Sequence, residues 1–122
     1  MPRTHAVVMA DPDGIIRYWS PGARELFGYA PEQAIGRSLD LIVPPEFREK
    51  HWTGLRQATA TGQMKLDGAT TNVPVLCHDG AIRPFPGRFL FLQGARGDVL
   101  GYAALFSERA GAEEAFGPVL PL

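Results

Sequence analysis

Four residues, Asp11-Pro12-Asp13-Gly14, stand between the apolar runs Ala6-Val7-Val8-Met9-Ala10 and Ile15-Ile16-Arg17-Tyr18-Trp19. Proline presets φ, glycine supplies φ > 0, and aspartate bonds its own backbone, so the chain reverses here. Residues 6–19 therefore read as a β-hairpin. A second reversal, His78-Asp79-Gly80, lies between strand candidates at 73–77 and 82–92. Residues 99–106 alternate well enough for a last strand, after a loop at 93–98. Residues 64–71 are a weaker strand candidate, interrupted by Asp67-Gly68. Pro74 suits an edge position, and Pro84 and Pro86 argue that the long strand is at an edge or starts irregularly.

Between the hairpins the pattern is helical. Ser20-Pro21 reads as an N-cap and first helical position, Ala23, Leu26 and Phe27 follow at helical spacing, and Gly28 stops the run. A short helix at 31–35 ends at Gly36, and 38–42 forms a single turn. Pro45-Glu46 opens the longest helix, 45–60, which ends at Thr61-Gly62. Strands at both ends with helices grouped between them imply an α+β fold, an antiparallel sheet covered on one face.

The chain has 122 residues, 45% hydrophobic and 20% charged. That suits one globular domain, expected over 1–107, with a tail at 108–122 whose Ala112-Glu113-Glu114-Ala115-Phe116 could form a helical turn. The net charge of −1 provides no basic field for nucleic acid. Apolar runs fall far short of the roughly 20 residues that span a bilayer, and 6–10 is too short for a secretory segment. The single cysteine, Cys77, permits no intrachain disulfide. A cytoplasmic location is expected.

Several segments in order resemble a PAS domain. They are Asp13-Gly14-Ile15-Ile16 before Tyr18-Trp19-Ser20; Gly22-Ala23 with Glu25-Leu26-Phe27-Gly28-Tyr29; Glu32-Gln33-Ala34-Ile35-Gly36-Arg37; the helix start Pro44-Pro45-Glu46-Phe47; Asp79-Gly80; and residues 97–101 before the last strand. The resemblance implies a five-stranded antiparallel sheet of order 2-1-5-4-3, with short helices on one face enclosing a pocket. It also implies a signalling sensor or a protein-protein module, acting as a homodimer or with a signalling partner.

Phe47, His51, Leu55 and Ala58 recur at helical spacing, so His51 is expected to face inward. A hydrogen-bonded core histidine satisfies that pattern too. Some PAS domains bind b-type heme through a histidine on this helix, and the stretch from Val43 to His51 is similar to that helix start. The resemblance thus implies heme b, with His51 as the metal ligand. Arg56 and Lys65 are the nearest cations for its propionates. The position of the gas-binding arginine in oxygen-sensing relatives is here Thr71, and that of one propionate partner is Gln57. Both departures weaken a specific oxygen-sensor reading and leave carbon monoxide, nitric oxide or redox sensing open. Phe85, Phe89 and Phe91 are evenly spaced along one strand, so they share a face as core or as pocket wall. Leu55, Phe89 and Phe91 complete the expected lining.

The alternatives are a ligand-free interaction module, dimerising through the outer face of the sheet or through terminal segments, and a flavin or small-metabolite receptor. The Asn-Cys-Arg-Phe-Leu-Gln type run of light-sensing flavin relatives is absent, which excludes a photochemical adduct but not non-covalent flavin. Cys77 and His78 are strand neighbours pointing to opposite faces, so they do not chelate one metal together. Trp52, about 100° round the helix from His51, is expected to be partly exposed, at an interface or packed on a loop. The carboxylates sit at turns or helix starts, and neither a phosphate loop nor a nucleophile elbow is present, so no enzyme is expected.

Overall fold

The computed structural model describes residues 4–62 and 70–108. Its elements run β1 (His5–Ala10), β2 (Ile16–Trp19), α1 (Pro21–Phe27), α2 (Pro31–Ala34), single 3-10 turns at Leu39–Leu41 and Pro45–Phe47, α3 (Arg48–Thr61), β3 (Thr70–Leu76), β4 (Ile82–Gln93) and β5 (Val99–Ser107). The strands form one antiparallel sheet of order β2-β1-β5-β4-β3. Most of the expected strand at 64–71, Lys65, and the tail beyond Glu108 lie outside the described residues.

The first hairpin closes through side-chain chemistry. Asp11 Oδ1 accepts from the backbone N–H groups of Asp13 and Ile15, both at 3.0 Å, and Gly14 takes φ 81°. Ser20 caps α1 by accepting from Ala23 N (3.2 Å), and its Oγ also accepts from Val7 N (2.8 Å). One hydroxyl thus starts the helix and ties it to β1, while Gly28 ends it in the left-handed region at φ 91°.

Alternation then decides the two faces of the sheet. Val8, Ala104 and Phe89 stand side by side on the inner face, and Met9, Ala103 and Leu90 on the outer one. Phe27 projects from α1 into the inner layer, with its ring centroid 5.8 Å from Trp19, 5.2 Å from Phe85 and 5.1 Å from Phe106. These four buried aromatics, with Val8, Ile16 and Val75, form the core.

Of the two settings open to the strand with Pro84 and Pro86, the structure gives the irregular start: β4 lies between β3 and β5. Pairing with β5 begins only at Gly87, so both prolines sit where no second neighbour requires an N–H. The longest helix does not begin at Pro45. Residues 45–47 wind as a 3-10 turn, whose smaller number of residues per turn breaks the helical phase, and Phe47 lies 40% exposed instead of facing inward. Among the described residues no helix is long and apolar enough to cross a membrane.

Candidate functional site

α3 crosses the inner side of the sheet as a strut held at three points. Trp52 donates from Nε1 to Asp40 Oδ1 (2.7 Å), and its ring lies so close over Gly14 that a Cβ there would overlap it. Tyr102, on the inner face of β5, donates to Leu55 O (3.1 Å) and shares a hydrogen bond with Thr59 Oγ1. Gln93 Nε2 reaches the carbonyl of Gly62 (3.1 Å) at the helix end. Sequence reading missed Tyr102. Its signal was present, because it alternates inward with Ala104 and Phe106.

His51 lies in the first turns of α3. Its ring meets that of Trp52 edge to face at 5.5 Å. Its Nδ1 is buried and has no hydrogen-bond partner among the described residues. Burial pushes the imidazole below its ordinary pKa near 6.5, and the Asp40 carboxylate, pulling it up, does not compensate. The side chain is therefore a neutral imidazole at pH 7 with an uncommitted buried nitrogen.

The sign of the pH dependence follows. The folded pKa is depressed, so the unfolded chain binds more protons once the pH drops below about 6.5. The stability attributable to His51 is expected to be complete above that value and to fall as pH drops toward the lower folded value. Urea titrations at several pH values should show this slope, and His51→Gln should flatten it. A slope unchanged in the variant would assign it to other groups.

Thr71 is fully buried on β3, opposite Gly87, and its Oγ1 also has no partner among the described residues. Phe89 and Phe91 are half-buried on the inner face of β4, Phe89 against Phe106 and Phe91 against Tyr102. Phe85 shares their face but belongs to the core around Phe27. Ala58 is buried on α3, as its spacing from His51 requires. Leu55 is half-buried, and Gln57 and Arg56 are exposed. Trp52 packs on the first hairpin turn, as one of its two expected settings.

A groove of about 420 Å³ opens between that turn and α3, lined among others by Pro12, Asp13, Trp52, Leu55, Arg56 and Thr59. His51 does not line it. Among the described residues no group of three His, Cys, Asp or Glu side chains could hold a metal ion.

Three comparisons bear on this arrangement. The chain is 26% identical over 76 residues to the oxygen sensor protein DosP of Escherichia coli, covering 62% of this chain and 9% of that protein. It is 28% identical over 79 residues to the sensor protein FixL of Bradyrhizobium diazoefficiens, covering 65% of this chain and 16% of that one. The chain therefore spans only a small part of these curated relatives. A crystal structure of a PAS domain from Colwellia psychrerythraea superposes with a TM-score of 0.72 at 24% identity, covering 87% of this chain and 86% of the other. The family model of the PAS fold matches residues 4–100. On that match the chain belongs to the PAS family.

Proposed function

We propose that this PAS domain is a sensory module that holds a small ligand in its interior, most specifically b-type heme on His51. The observation behind this reading is the buried, unpartnered Nδ1 of a neutral imidazole. A buried polar atom left without a partner costs about 1–3 kcal/mol, so the site favours an occupant. Neutral imidazole is a good iron ligand. Leu55, Phe89 and Phe91 would give a porphyrin apolar and aromatic walls, and Thr71 would offer a hydroxyl without a cation. When bound, heme would supply an iron centre that takes a diatomic gas or an electron. The chain's own residues would hold it, exclude water and repack, shifting the population of sheet and terminal conformations read by a partner. The names of the two curated relatives, one an oxygen sensor and one a sensor, agree with a sensory role.

An absorbance spectrum after hemin addition and gel filtration tests this. A stoichiometric Soret band is expected, lost in His51→Ala and restored to that variant by free imidazole. A flat spectrum for the folded parent protein would overturn the heme reading. A yellow protein would indicate flavin instead.

A second reading, a docking module or homodimer, has its own observation. Tyr18, Met9, Ala103 and Leu90 align across four strands on the outer face, with Tyr18 45% and Leu90 39% exposed. An apolar row of this kind suits a protein partner. Sedimentation of the parent against Leu90→Glu would test it, with dissociation the supporting result.

A further inference from the structure

The groove between the first hairpin turn and α3 has a composition that the interior site does not explain. Its wall is apolar and aromatic: Pro12, the Trp52 ring and Leu55. Its rim carries Asp13 from the turn and Arg56 from α3, both exposed. Neither side chain forms an ion pair or side-chain hydrogen bond among the described residues, with each other or with a third group. Opposite charges so placed remain free to receive opposite charges from outside. The wall is rigid, because Trp52 is fixed by its 2.7 Å bond to Asp40 and by its seat on Gly14. A preorganised wall lowers the ordering cost of binding. The volume, about 420 Å³, lies within the ordinary range for small-molecule sites.

The geometry points to a second ligand site here, for a zwitterion with an apolar body: an α-amino acid with an aromatic or branched aliphatic side chain. Asp13 takes the ammonium group. Arg56 takes the carboxylate, for which a guanidinium fork is suited. Trp52, Leu55 and Pro12 cover the side chain. This site does not use His51, though it shares Leu55 with the interior lining proposed above.

The test is a titration of the full chain with L-phenylalanine and L-leucine, followed by calorimetry and by the NMR signal of the Trp52 indole N–H. The controls are 3-phenylpropionate, which lacks the ammonium, and phenethylamine, which lacks the carboxylate. Saturable binding of the amino acids is expected, with each control weaker by about tenfold or more. Asp13→Asn should abolish the preference for phenylalanine over 3-phenylpropionate alone. Arg56→Gln should abolish the preference over phenethylamine alone. Neither side chain has a partner among the described residues, so thermal melting should be unchanged in both variants. Equal binding of all three phenyl compounds, or no saturable shift with either amino acid, would overturn the proposal.

Discussion

Replacing Phe27 by alanine is expected to lower stability by about 3–5 kcal/mol. Its side chain is 1% exposed, and its ring is the one that touches Trp19, Phe85 and Phe106 together. Removing it takes away the apolar area and leaves a cavity between α1 and the sheet, which fixed strands cannot collapse to fill. A domain of this size has about 5–15 kcal/mol in all, so the variant should sit near the edge of folding. Urea denaturation should show a large fall in midpoint with little change in slope. Phe27→Leu keeps most of the volume and should lose much less. Similar losses for both variants would mean that ring contacts, not volume, hold the core.

Gly22→Ala should be comparably damaging, for a different reason. A Cβ at Gly22 would overlap the backbone carbonyl oxygen of His5, and backbone cannot rotate aside as a side chain can. Relief requires α1 to lift from β1. That movement strains the Ser20 N–H to Val7 O bond (3.1 Å) and the Val7 N–H to Ser20 Oγ bond (2.8 Å). The expected loss is about 3 kcal/mol, at the upper end for overpacking. Gly54→Ala gives the contrast. Gly54 lies inside α3 with open space around it, so alanine should stabilise by about 0.5–1 kcal/mol through helix propensity. If both variants shifted the denaturation midpoint in the same direction, close approach of α1 to β1 would not be the cause.

Local chemistry made the element order legible. The reversal at residues 11–14, the cap at Ser20, the stops at Gly28 and Gly62, and the alternation of β5 each rest on a few adjacent residues. The inward position of His51 was also readable, because a helix repeats every 3.6 residues and Leu55 and Ala58 mark the same face. Phe47 shows where that argument ends. A 3-10 turn has a different period, and nothing in the local sequence separates it from the first turn of an α-helix.

The sequence by itself determined the fold class, the strand order through its PAS-like segments, and the histidine of interest. Its single cysteine permits no intrachain disulfide. Only the tertiary structure decided the state of that histidine. Asp40 comes from a separate turn, yet it anchors Trp52 and sets the field at His51. The missing partner of Nδ1 depends on every side chain packed around it. The groove, likewise, joins a hairpin turn to a helix far along the chain. Periodicity reports which way a side chain points. What it meets there depends on elements brought together by the sheet, and desolvation and hydrogen bonding act through space, not along the chain.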